Sequence, residues 1–152
     1  ANLVDYPSRR PNPCESQSRQ AHLTHQTGPS KVVDPNWYFD TGATDHITPN
    51  LQNITIAEPY HGYDKLQVGN GKNLHISHVG SSSLPNLKLP NVLIVPALTK
   101  NLLSVSKLTD DNDVYIEFWP KSCSVKTFKC KTPLQGDKKE GLYRLPCRIF
   151  RS

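Results

Sequence analysis

Methionine is missing altogether from the 152 residues, and the chain opens Ala1-Asn2-Leu3. That combination is expected of a piece of a longer polypeptide whose termini are not natural ends. No apolar run approaches the ~20 residues a membrane span needs, and no basic-then-apolar stretch opens the chain. A soluble chain, not secreted on its own, is the expectation. Cysteine is sparse, and Cys14, Cys123, Cys130 and Cys147 include no close metal-ligand pair. His22 and His25 do not complete a knuckle spacing with Cys14. Free thiols in a reducing compartment are expected, with no metal and no cofactor. An excess of one charge is also lacking where a core would form: residues 36–110 carry five basic and five acidic side chains. The net charge of +5 comes mostly from residues 111–152, with nine basic against five acidic. A neutral middle argues against direct nucleic-acid binding, which needs a clustered Lys/Arg footprint. The basic tail reads as a solvated edge.

Residues 1–35 hold five of the 13 prolines among Ser, Gln, Asn and Arg and show no apolar period, so a proline-rich, disordered linker is expected there. Order is expected from the aromatic strand Asn36-Trp37-Tyr38-Phe39, which runs directly into Asp40-Thr41-Gly42. Leu66-Gln67-Val68 and Leu74-His75-Ile76 alternate around Gly69-Asn70-Gly71, and the Asn-Gly pair predicts a hairpin with positive φ angles at a mobile tip. Further short strands are expected at 80–84 and 87–89, and Val92-Leu93-Ile94-Val95 reads as a strand buried on both faces. Leu102, Val105 and Leu108 can share one helical face, which predicts a helix over 101–108. Strands are again expected at 114–118, 122–128 and 142–145. The sum is a mainly β domain with one short helix, without an internal repeat.

Asp40-Thr41-Gly42-Ala43 is the sharpest chemical feature. An aspartate supplies an acid or a base, a threonine hydroxyl can bond back to its loop or across to a partner, and glycine permits close backbone approach. Two such carboxylates about 3 Å apart cannot both ionise, so one serves as base toward water and the other as acid toward a carbonyl. The tripeptide is also an ordinary turn former. Its surroundings sharpen it, because a strand precedes it and a glycine-tipped hairpin, a buried strand and a helix follow in order. Only one copy occurs.

In the stretches 37–47, Val68-Gly69-Asn70-Gly71 and 91–105, the chain resembles the retropepsin-like proteases of copia-type retrotransposon polyproteins, encoded between nucleocapsid and integrase. The resemblance covers about residues 36–145, and Gly141-Leu142-Tyr143-Arg144-Leu145 is similar to the start of the segment preceding integrase. It implies a proline-rich linker over 1–35, a retropepsin-like acid protease barrel over 36–145, and a tail over 146–152 toward the pre-integrase segment. Asp40 would be catalytic, supported by Thr41, Gly42 and Ala43. Val68, Gly69, Asn70 and Gly71 would form a flap over the substrate peptide. Val92–Val95 would support the catalytic loop, and Asn101-Leu102-Leu103 would begin the helix.

With one motif per chain, activity requires a homodimer contributing two copies of Asp40. The implied function is an aspartic endopeptidase that cleaves its own Gag-Pol polyprotein in the cytoplasm within virus-like particles, with no membrane partner. The alternative is a weakly active or inactive protease-fold module for peptide binding or assembly. A basic nucleic-acid adaptor over 121–151 is a third reading. His46 is expected to fix the loop rather than take part in chemistry. Asp45 is expected at the cleft edge, paired with Lys100, or simply solvated. His61, His75 and His78 read as ordinary strand or loop residues.

Overall fold

The computed structural model describes residues 19–20, 34–129 and 133–146. Most of the linker expected over 1–35 and all but the first residue of the tail expected over 146–152 lie outside these, as do Cys14, Cys130, Cys147, His22 and His25. Within that linker, Arg19–Gln20 (β1) makes a two-residue strand, where no strand was expected. The order continues with Trp37–Asp40 (β2), His46–Thr48 (β3), Ile56–Pro59 (β4), Leu66–Gln67 (β5), Asn73–Leu74 (β6), His78–Leu84 (β7) and Leu87–Ile94 (β8). Asn101–Ser104 (β9) leads into the helix Val105–Asn112 (α1), followed by Val114–Phe118 (β10), Ser122–Thr127 (β11), Leu134–Lys139 (β12) and Leu142–Leu145 (β13). The mainly β fold with one short α-helix is as expected. Among the described residues the large sheet stays open, its ten strands running β10-β11-β12-β13-β2-β9-β3-β8-β7-β4. A second sheet of three strands joins β1, β5 and β6.

The centre of the large sheet is made of strands buried on both faces. Along β2, Trp37 and Phe39 enter a cluster with Val92, Leu103 and Leu108, whereas Tyr38 enters another with Ile47, Leu66, Leu93 and Leu102. Successive side chains of a strand point to opposite faces. The pairs Val92/Leu93 and Leu102/Leu103 therefore each feed both cores, which is why these strands read as continuous apolar runs. Each such leucine contributes about 1.5–3 kcal/mol through burial. Strand β9 lies between β2, to which it runs parallel, and β3, to which it runs antiparallel.

The helix begins later than its apolar spacing predicts. Leu102 and Leu103 are both fully buried, one in each core, which only an extended backbone allows. Residues 101–104 are accordingly a strand, and the Ser104 hydroxyl, accepting from the Lys107 N–H at 3.1 Å, caps α1 at its true start. Asp113, in the left-handed conformation at φ +54°, ends the helix. The strands expected at 87–89 and 92–95 are largely one strand, β8. Pro90 is accommodated where β7 and β8 slip register between Gly80 and Ser82.

Asn101 joins the first ordered residues to the sheet. Its amide donates to the carbonyls of Asp34 (3.2 Å) and Asn36 (3.1 Å), while its Oδ1 accepts from the buried Thr48 hydroxyl at 2.6 Å. Asn101→Ala strands all three groups and is expected to lower the unfolding free energy by roughly 2–4 kcal/mol, read from urea midpoints. A loss under about 0.5 kcal/mol would show that water replaces the amide freely. Gly136 is tightly enclosed: a Cβ there would meet the Arg144 carbonyl oxygen at 2.2 Å and Cys123 Sγ at 2.6 Å. Gly136→Ala is expected to part β12 from its neighbours, giving faster amide exchange in β12 and β13 than in β8.

Candidate active site

Asp40 is the last residue of β2, and two backbone contacts shape the turn beyond it. Its Oδ1 accepts from the Gly42 N–H at 2.8 Å, the local bond by which aspartate initiates turns, and its carbonyl receives the Ala43 N–H at 3.4 Å. The carboxylate residue is 6% exposed and Ala43 is buried, whereas Thr41 is exposed and Gly42 half-buried. Thr41 thus stands outward beside a largely enclosed Asp40. The two border an open cavity of about 380 Å³ completed by Phe39, Phe118, Gly141, Leu142 and Tyr143.

Most of that wall comes from the C-terminal meander, which gave no chemical signal in the sequence. Strand β13 pairs antiparallel with β2, Arg144 opposite Tyr38 and Leu145 opposite Trp37, which carries Leu142 toward Asp40. Phe118 meets Phe39 edge-on at 5.7 Å between centroids and Tyr143 at 4.7 Å. The Asp137 carboxylate grips the Arg144 guanidinium through Nε at 2.8 Å and Nη2 at 3.2 Å, tying β12 to β13 behind this wall.

The hairpin forms where expected, with β5 and β6 antiparallel, but its turn differs from the prediction. The Gly71 N–H donates to the Val68 carbonyl and the Val68 N–H to the Lys72 carbonyl, both at 2.9 Å. Of the Asn-Gly pair only Gly71 has positive φ, at +86°. The turn is therefore a three-residue loop closed by a glycine bulge, and the Asn70 side chain stabilises it by accepting from the Lys72 N–H at 2.9 Å. Val68 is buried with Leu66, Leu74 and Tyr38, so it anchors the root and leaves Gly69, Asn70 and Gly71 exposed. Asp40 follows Tyr38 by two positions and shares its face of β2. The described lining of the Asp40 cavity does not include the hairpin tip.

Asp45 neither pairs with Lys100 nor lies in solvent. It is buried, with Lys107 Nζ at 3.8 Å and the Thr44 hydroxyl donating at 2.9 Å. Lys100 instead meets Asp34 at 3.3 Å and lies 4.3 Å over the Tyr38 ring. Burial favours protonation of Asp34, but hydrogen bonds from Tyr38, the Asn36 N–H and Lys100 outweigh it and hold the carboxyl below its ordinary range.

His46 is fully buried, and its Nδ1 accepts from the Ser104 backbone N–H at 3.1 Å. Burial, reinforced by the Lys107 cation and opposed by Asp45, lowers its pKa to about 4, so the ring is neutral at physiological pH. Its Nε2 has no hydrogen-bond partner among the described residues. Burial pushes the Cys123 thiol up to about 11, and this inert side chain packs inside the meander. Among the described residues no three His, Cys, Asp or Glu side chains gather as metal ligands would, and no helix is long and apolar enough to cross a membrane.

Residues 37–113 match the family model described as "Pol polyprotein, beta-barrel domain". Over 116 residues, 73% of the chain, the sequence is 44% identical to "Retrovirus-related Pol polyprotein from transposon RE1" of Arabidopsis thaliana. It is 43% identical over the same share to the corresponding RE2 polyprotein of that plant. The matched stretch spans 8% of the length of each relative. No solved structure matches the chain. With just over half of its length inside the family model and its Asp-Thr-Gly turn near the start of the matched residues, the chain belongs to the β-barrel domain family of Pol polyproteins, as a fragment of a copia-type retrotransposon polyprotein.

Proposed function

We propose that this chain is the aspartic endopeptidase of its retrotransposon polyprotein, active as a homodimer in which two copies of Asp40 share one proton and activate a water molecule. The observation that carries the reading is the placement of Asp40: a buried aspartate at the end of a doubly buried strand, beside an open cavity, with one Asp-Thr-Gly per chain. Paired aspartates divide acid and base roles, as in aspartic proteases generally, because two carboxylates that close cannot both ionise. One carboxylate takes a proton from water while the other protonates the scissile carbonyl oxygen. Exposed Thr41 supplies a hydroxyl where the second protomer's turn must arrive.

The aromatic and aliphatic wall of Phe39, Phe118, Leu142 and Tyr143 supports the reading, since apolar surroundings exclude water and strengthen electrostatics at the reacting groups. The exposed tip Gly69-Asn70-Gly71 offers backbone groups to a peptide and closes over it as a flap. The substrate is the Gag-Pol polyprotein, the chain's own borders included, cut within cytoplasmic virus-like particles.

The test is cleavage of a polyprotein fragment spanning both borders. Asp40→Asn is expected to abolish it, and undiminished cleavage by that variant overturns the assignment. In dilute protein the wild-type rate is expected to rise with the square of concentration. A rate strictly proportional to concentration, in a sample that sediments as a monomer, would rule out a site split between two chains.

A further inference from the structure

Strand β9 holds Ser104 directly opposite Asp40 in its parallel ladder with β2. From that position one residue reaches the turn beyond Asp40 twice. The Ser104 hydroxyl donates to the Ala43 carbonyl at 2.8 Å while accepting from the Lys107 N–H, and its backbone N–H donates to His46 Nδ1 at 3.1 Å. A third tie runs from Asp45 to Lys107 on the first turn of α1. The whole segment from Asp40 to His46 is thus wrapped around the junction of β9 and α1, and Ser104 is its hub. The hub is buried, with Ser104 and His46 both at 0% exposure.

The chemistry of the His46 contact is directional. An imidazole nitrogen accepts an N–H only through a bare lone pair, so Nδ1 is unprotonated and the ring proton sits on Nε2. Protonation would place an N–H against the Ser104 N–H, two donors facing each other. The groups around the ring decide when that happens: Lys107 from α1 and Asp45 from the turn are the charged ones. β8 presents apolar Val92 opposite His46, and β9 presents Ser104. A buried ring whose Nε2 lacks a partner among the described residues lowers stability, so the one hydrogen bond the ring makes, through Nδ1 to Ser104, is the contact that orients it.

We propose that Ser104 and His46 form a lock that sets the geometry of the Asp40 turn, and that the lock opens when His46 gains a proton. Both are positioning residues, acting through Ala43 and the turn backbone. The inference rests on the proteolytic reading for its effect on turnover, though not for the lock itself. Its sign with pH is definite. His46 titrates at about 4 in the fold against an ordinary value of 6.5, so the unfolded chain binds the proton more readily between them. Stability is therefore full above about pH 6.5 and falls steadily toward pH 4.

The experiment follows cleavage of the border-spanning fragment by the dimeric wild type and variants, together with the Ser104 amide proton shift against pH. Ser104→Ala is expected to lower kcat by about 10- to 100-fold with KM within about twofold, the scale of a small misplacement of reacting groups. Ser104→Thr, which keeps the hydroxyl, restores kcat to within about threefold of the wild type. Leu108→Val, which loosens α1 without touching the turn, leaves kcat within about twofold. An equal loss in Leu108→Val and Ser104→Ala would overturn the lock and leave Ser104 a helix cap only. His46→Asn, offering an amide oxygen with no proton to gain, keeps neutral-pH turnover and loses the acid limb centred near pH 4. The Ser104 amide is expected to step near pH 4 in the wild type and not in His46→Asn. If no protein cleaves yet that difference is seen, the proteolytic reading fails and the lock stands. An amide that does not step, or steps equally in His46→Asn, overturns the lock whatever the cleavage result.

Discussion

The parallel pairing of Trp37–Asp40 with Asn101–Ser104 is the constraint from which the rest of the molecule is built. Two strands separated by some sixty residues of sequence come together without an intervening α-helix, and a third, His46–Thr48, closes on the far side of the second. That arrangement requires the chain to run on from β3 through β4 to β8, of which only β5 and β6 lie outside the large sheet, and then to return between β2 and β3. It can do so only if the returning strand tolerates burial on both faces. Leu102 and Leu103 meet that requirement with one side chain for each core, and Asn101 and Ser104 at its ends saturate backbone groups that burial would otherwise leave bare. The Asp40 turn inherits its position from this pairing.

How much of this could be read from residues alone divides along physical lines. β2, β8 and the hairpin were legible because burial on both faces, or a glycine with positive φ, leaves a local mark at Trp37–Phe39, Val92–Val95 and Gly71. The helix boundary was not, because Leu102, Val105 and Leu108 satisfy a helical period by coincidence and the burial of Leu103 overrides it; Ser104 as a cap was the available signal. Besides β1, three strands left almost no trace. His46–Thr48 is too short for a period, every residue of Ile56–Pro59 is exposed, and Leu134–Lys139 holds one apolar residue, so its pairing with β11 and β13 is a matter of register. Asp40 and its turn were found by motif. The partners that shape its surroundings, Ser104, Lys107, Phe118 and Leu142, lie far along the chain and are brought there only by topology.

The C-terminal meander also alters what counts as the domain. Residues 114–145 could have been an appendage to a core complete by the end of α1. Instead β13 is the neighbour of β2, the meander carries Cys123, Val125 and Leu145 into the first core, and Phe118, Leu142 and Tyr143 stand over the cavity beside Asp40. A fragment ending at residue 113, the limit of the family match, would expose the edge of the strand that bears the motif.

That neighbour relationship also acts in time. During synthesis β2 emerges early, but its partner β13 follows only after Tyr143-Arg144-Leu145 has been made, and Leu145 stands 108 positions beyond Trp37. At about 5–20 residues per second, roughly 5–20 s separate the two. Through that interval the strand carrying Asp40 has one edge open and its cavity lacks a wall, so the ribosome itself delays completion of the site until the downstream segment is made.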